Sequence, residues 1–252
     1  MPSSPAASPG PAAPVPPVRL AEGHSRITVG LAVITWCACW LGGNLLGSAL
    51  VAASGHDIGD DAPIWVTLLG ALGLWIPIVV ALVMVSRRFG AGGVVAEFGF
   101  SFRPVDLVGI PIGVLTQLVL LRLLYWPLES IWPDTFSSPK VEESARTLYE
   151  RADGGWLVAL VLLVVVGAPL IEELLYRGLL LGAFRRRVDD LVALVAVALW
   201  FALIHFRPVE YPGLLVVGLV LGACVLVTDR LGMSVLAHMA FNATGLIWVA
   251  TR

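Results

Sequence analysis

Seven stretches of this chain run for about 20 residues almost without charge, long enough as helices to cross ~30 Å of bilayer hydrocarbon. They extend from Ile27 to Ala53, Ile64 to Ser86, Val105 to Trp126, Trp156 to Phe184, Leu191 to Phe206, Tyr211 to Thr228 and Met233 to Ala250. Lipid offers no hydrogen bonds, so such runs must satisfy their own backbone groups, and helices do this within a single segment. The expected fold class is therefore all-α, a polytopic transmembrane helical bundle of about seven helices. The fourth run is overlong and carries Gly167 and Pro169 in its middle. A kink is expected there, or a separate half-helix that raises the count to eight.

Composition excludes the simplest alternatives. Only 13% of residues are charged and 58% are hydrophobic, whereas a soluble domain carries about a quarter charged residues, so a single water-soluble core is ruled out. The net charge of -2 leaves no basic surplus for nucleic acid. Cys37, Cys39 and Cys224 all fall in apolar runs, which removes a disulfide framework or zinc ribbon and leaves them as packing residues. A single lysine, Lys140, among many arginines, with abundant Ala, Val and Gly, suggests a GC-rich bacterial genome and hence a bacterial cell membrane.

The chain divides into four parts. Residues 1–23 are rich in Pro, Ala and Ser and read as a disordered tail. The tail does not read as a cleaved signal peptide, because Arg19 and Arg26 precede an apolar run far longer than a signal h-region. Residues 24–126 hold the N-terminal transmembrane helices. Residues 127–155 form a polar loop in which Val141, Ala145 and Leu148 recur at helical spacing, as in an interfacial amphipathic helix. Residues 156–252 form the core that carries the chemistry. An N-terminus inside the cell gathers Arg19, Arg26, Arg87, Arg88, Arg103, Arg185, Arg186, Arg187 and Arg230 on the cytoplasmic side, and leaves Lys140, Arg146, Arg151, Arg207 and Arg252 outside with Asp57, Asp60 and Asp61.

Ionisable groups inside a bilayer are costly, and an intramembrane charge is a functional hypothesis by default. The fourth run contains Glu172, Glu173 and Arg177, the fifth ends Phe201-Ala202-Leu203-Ile204-His205, and the seventh carries His238 and Asn242. Residues four apart share a helix face, so Glu173 reaches Arg177, Phe201 stacks beside His205, and His238 sits beside Asn242. Glu172 points about 100° away from Glu173, which leaves one glutamate for structure and the other for chemistry. At 1.5 Å per residue, Glu172 lies roughly 18 Å above Phe184, His205 roughly 21 Å above Leu191 and Asn242 roughly 16 Å above Leu231, a common layer near mid-membrane. A glutamate in an apolar pocket suits general-base activation of water, imidazoles share protons or bind metal, and an asparagine amide suits a developing oxyanion. Together they suggest water attacking an amide.

The blocks Glu172-Glu173 with Arg177, Phe201 with His205, and His238 with Asn242 reproduce EExxxR, FxxxH and HxxxN in order. The chain thus resembles the CPBP family, also called ABI or type II CAAX prenyl endopeptidase-like proteins, over roughly Trp156 to Ala250. The resemblance implies an intramembrane endopeptidase in which Glu172 and His205 activate water, and His238 and Asn242 bind or polarise the scissile carbonyl. Glu173 and Arg177 would hold the helix, with Phe201 in support. Members are often labelled metalloproteases, and Glu172, His205 and His238 would make a three-ligand zinc site. A metal-free glutamate mechanism is equally compatible, and the zinc signature H-E-x-x-H is absent. The implied partners are membrane lipids and a peptide or membrane-protein substrate, with no nucleic acid; the sequence sets no oligomeric state.

Other readings compete. A non-catalytic scaffold or bacteriocin-immunity protein would be expected to have lost a polar position, and none is lost. A proton-coupled transporter also uses Glu and His chains, but no inverted repeat is seen. For a serine peptidase, Ser234 lies four residues before His238 but lacks a Gly-x-Ser-x-Gly setting. Glu142 to Arg146 mimics the first block but reads as a solvated helix face. Arg122 reads as snorkelling to the interface and Gln117 as a neighbour of the site. Gly42, Gly43 and Gly47 read as small residues for close helix packing.

Overall fold

The computed structural model describes residues 25–57 and 62–252, so the expected tail (residues 1–23) and Asp60 and Asp61 lie outside it. Every regular element among the described residues is helical. The principal helices are α1 (Val29–Ala53), α2 (Ile64–Arg88), α3 (Pro104–Ile131), α4 (Ser138–Glu150), α5 (Gly155–Arg185), α6 (Asp190–Leu203), α7 (Pro208–Thr228) and α8 (Gly232–Ala250). Six of them are long and apolar enough to cross a membrane, and α6 is the shorter seventh apolar helix. The chain is a multi-pass membrane protein.

Alternating helix directions bring one set of ends together at an arginine-rich base. The Arg26 N–H reaches the Phe89 carbonyl (2.6 Å), and the Leu231 N–H reaches that of Gly99 (2.9 Å). Buried Asp106 at the start of α3 takes the Arg230 guanidinium at 2.7 and 3.0 Å, and the Arg103 N–H at 2.7 Å. Buried Glu97 accepts from Ser25 and the Ala91 N–H, with Arg186 at 3.6 Å. Burial pulls the Arg186 guanidinium below its ordinary pKa, and the Glu97 charge opposes that shift. At the opposite end, α4 lies along the bundle, with Ala145 and Leu148 packed on Ile64, Leu160, Leu246 and Val249. The amphipathic helix expected in residues 127–155 is present. Its Glu142 is more than a solvated side chain: it pairs with Arg146 (3.3 Å) and accepts from the Trp248 indole N–H (2.9 Å).

Glycines set the closest helix contacts, as they do where membrane helices lack a hydrophobic drive to associate. A Cβ on Gly47 would lie 2.7 Å from the Gly70 carbonyl, and one on Gly43 2.8 Å from the Leu74 side chain, so α1 and α2 pack backbone to backbone. Gly42 faces open space and takes no part in this contact. A second pair, Gly109 and Gly113 of α3, abuts α8: a Cβ on either would lie 2.3 Å from the Met233 carbonyl or 2.1 Å from that of Ala237. This brings α3 against the residue next to His238.

Helix α5 is not split into two half-helices. It runs unbroken, with π-wide turns at Leu162–Gly167 and Glu173–Leu181. Pro169 follows two residues after the first of these, and the Val164 carbonyl in that wide turn accepts from the Asn242 amide of α8. No eighth span results. Helix α6 is shorter than the expected run to Phe206: its 14 residues end at Leu203. Phe206 then adopts a left-handed backbone (φ 53°) that turns the chain into α7. Tyr125 of α3 pins this connection, donating to the Val209 carbonyl (2.9 Å) and accepting from the Gly213 N–H (3.1 Å).

Substituting Gly113→Val should drive α3 off α8 and lower stability by roughly 1–3 kcal/mol, the usual cost of overpacking. Thermal unfolding in detergent micelles measures this; Gly42→Ala, which adds its methyl to open space, should leave the midpoint unchanged.

Candidate active site

Two adjacent glutamates of α5 converge on one imidazole of α8. Glu173 is fully buried, and its Oε1 lies 2.9 Å from His238 Nδ1. Glu172 is about a quarter exposed, and its Oε2 lies 3.8 Å from His238 Nε2. Adjacent positions on a helix diverge, yet here both carboxylates reach opposite edges of the same ring. A hydrogen bond to a carboxylate requires the proton on Nδ1, which leaves Nε2 of the neutral ring as an acceptor directed toward Glu172.

Glu173 is held from several directions. Arg177, four residues on in the wide turn, donates to Glu173 Oε1 at 3.0 Å and is itself 1% exposed. Ser234 donates to Glu173 Oε2 and also reaches the Leu221 carbonyl. Arg177 donates further to the Gly218 carbonyl of α7 (3.2 Å) and lies 4.6 Å over the centre of the Phe201 ring of α6. A buried guanidinium and carboxylate are tolerated when each is paired and hydrogen-bonded, and here both are.

Phe201 forms the aromatic hub. Its ring meets Tyr176 at 5.1 Å, His205 at 4.8 Å and His238 at 6.1 Å, each edge to face. Tyr176 continues the wall to Trp36 of α1, which meets Trp200 at 5.0 Å. His205 sits in the turn after α6 with Nδ1 2.6 Å from the Phe201 carbonyl, so its Nδ1 carries the proton and its Nε2 stays available as an acceptor. His205 and Glu172 do not form an ion pair with each other. Asn242 lies one turn beyond His238 and donates one amide N–H to the Val164 carbonyl (2.8 Å) in the first wide turn of α5, which leaves a second N–H for another acceptor.

The three sequence blocks therefore meet in one layer, and the expected contacts of Glu173 with Arg177 and of Phe201 with His205 are present. The expected divergence of the two glutamates is replaced by convergence on His238. Ser234 supports Glu173 rather than standing as a nucleophile. Tyr176, Trp36 and the Gly109/Gly113 pair were not singled out. The glycine pair carried a signal in Gly-Ile-Pro-Ile-Gly, a small residue every four, whereas nothing local marks Trp36, which is 136 positions or more from the residues it helps enclose.

Among the described residues no three His, Cys, Asp or Glu side chains gather in a ligating group. Each imidazole keeps its Nε2 free while its Nδ1 meets Glu173 (His238) or the Phe201 carbonyl (His205), an outer-shell pattern that serves metal-bound and catalytic histidines alike.

Residues 154–244, a little over a third of the chain, match the family described as type II CAAX prenyl endopeptidase Rce1-like. The match bears out the resemblance read from the motifs and spans all of Glu172, Glu173, Arg177, Phe201, His205, His238 and Asn242. It supports an intramembrane protease of the CAAX type. Neither the curated proteins nor the solved structures yield a match.

Removing one partner of a buried pair leaves the other charge uncompensated. Arg177→Ala should cost about 3–5 kcal/mol of unfolding free energy, and Arg146→Ala, in a half-exposed pair, under about 1 kcal/mol, both read from denaturant titration in micelles.

Proposed function

We propose that the segment shared with the Rce1-like type II CAAX prenyl endopeptidases hydrolyses peptide bonds of membrane-associated peptides or proteins with water activated by glutamate and histidine. The observation that carries this reading is the arrangement around His238: a fully buried, charge-balanced Glu173 on Nδ1, and a partly exposed Glu172 near Nε2. An imidazole oriented by a carboxylate on one side, with a reactive group on the other, is the general logic of a base held by an orienting partner. Glu173 is the orienter and Glu172 the base.

The gap of 3.8 Å between Glu172 Oε2 and His238 Nε2 is too long for a direct hydrogen bond and suits a water shared by the two. Glu172 takes a proton from that water as its oxygen attacks the scissile carbonyl carbon. His205, its Nε2 unoccupied, takes the water's second hydrogen in place of His238 as the attack begins, since water has only two to give. The second amide N–H of Asn242 meets the oxygen on which negative charge develops. Glu172 then returns the proton to the leaving nitrogen as the carbon–nitrogen bond breaks, so the cycle closes with no net proton change. Phe201, Arg177 and Tyr176 form a dry wall that keeps these groups oriented.

We take the reaction to be carried by these side chains, since among the described residues no three-ligand group gathers. A bacterial cytoplasmic membrane, with the arginine-rich base and the N-terminal end of α1 on the cytoplasmic face, fits the distribution of basic residues.

Activity is testable with a quenched fluorogenic peptide bearing a prenylated cysteine, in proteoliposomes. Glu172→Gln should lower kcat by roughly 10²–10⁴, the usual contribution of a general base, and His205→Ala should also suppress turnover, with both proteins still inserted. Undiminished turnover in the Glu172 variant would remove the assignment. Chelation of divalent metals, checked by elemental analysis, should leave turnover intact; loss restored only by zinc would reinstate a metal.

A further inference from the structure

At the end of the bundle away from the arginine-rich base, a cavity of about 420 Å³ opens between α3, α4 and the last turns of α8. It is separate from the candidate active site: Trp248, in its wall, lies ten residues beyond His238 on α8, roughly 15 Å along the helix. One part of the lining is apolar, with Leu118, Leu121, Leu123 and Trp126 of α3. Leu123 and Trp126 are among the most exposed hydrophobic side chains and face outward from the bundle, where acyl chains would lie. The other part is cationic. Arg122 and Arg252 both lie against the Trp248 ring, 4.3 and 3.6 Å from its centre.

Two carboxylates also line the cavity, Glu129 and Glu142, and both already accept hydrogen bonds from neighbouring residues. Glu142 accepts from the Trp248 indole and pairs with Arg146. Glu129 accepts from the Ser138 N–H (3.2 Å) and hydroxyl (3.5 Å). Among the described residues neither Arg122 nor Arg252 forms an ion pair. Two guanidinium groups stacked on one tryptophan ring, lining one cavity and lacking an ion-pair partner of their own, make an incomplete site. Planar guanidinium forks match phosphate oxygens, and tryptophan favours the headgroup level. A charged end and an oily end in one cavity call for a ligand with the same two ends.

We propose that this cavity binds an anionic phospholipid, with its phosphate on Arg122 and Arg252 and an acyl chain along Leu118, Leu121 and Trp126. Basic pockets between membrane helices recognise lipid headgroups by this chemistry. The bound lipid would clamp the end of α3, α4 and the end of α8 to one another, a role independent of the peptidase reading.

The test uses the full chain in nanodiscs, first of phosphatidylglycerol and then exchanged into phosphatidylcholine, with retained lipid counted by native mass spectrometry. The wild type should keep phosphatidylglycerol through the exchange, and Arg122→Gln with Arg252→Gln should retain it roughly tenfold less, or lower still. Equal retention by both proteins, or equal retention of the two lipids by the wild type, overturns the proposal. Should the double variant not fold, the wild type decides alone: phosphatidylglycerol should raise its unfolding midpoint above that in phosphatidylcholine, and glycerol phosphate, which has the headgroup charge without chains, should not. Protection by glycerol phosphate alone would make this a simple anion site, and a raised KM for peptide with unchanged lipid retention would make it a substrate subsite; either result sinks the lipid assignment.

Discussion

The buried pair of Glu173 and Arg177 is the constraint around which the C-terminal helices are arranged. A lone carboxylate or guanidinium at this depth would be prohibitively costly, and each is retained because four helices supply its partners. Helix α5 provides the pair itself, α7 the Gly218 carbonyl, α6 the Phe201 ring, and α8 both His238 and Ser234. Packing of apolar surfaces alone is weakly directional in lipid, where side chains and solvent are equally oily. Polar contacts with fixed geometry set the register of these helices, and in doing so set the orientation of His238.

That dependence joins stability and chemistry in neighbouring residues. Glu173 is sealed and spends its lone pairs on three donors, whereas Glu172, one residue earlier, keeps partial access to solvent. The two neighbouring carboxylates differ in burial, not in residue type.

Much of this was legible in the sequence because membrane insertion leaves a strong local mark. Long apolar runs announced the helices, and the cost of charge in lipid pointed to Glu172, Glu173, Arg177, His205 and His238. What escaped were features that depend on contact across the bundle. The approach of both glutamates to His238 depends on where α8 lies against α5, which no spacing rule within one helix reports. The course of α5 past Pro169 likewise draws on another helix, since Asn242 of α8 donates to the Val164 carbonyl. Trp36 reaches the aromatic wall through pairing of α1 with α5 and α6, and the arginine pair on Trp248 through the meeting of α3 with the end of α8; neither is encoded by residues close in sequence.

Helix α6 rises only about 21 Å over its 14 residues, some 9 Å less than the hydrocarbon thickness of an ordinary bilayer. The turn that follows keeps its own hydrogen bonds, the Ile204, His205 and Phe206 N–H groups reaching the Trp200, Ala202 and Leu203 carbonyls. His205 thus closes a span that stops short, and the chain reverses at depth without leaving those donors bare to lipid.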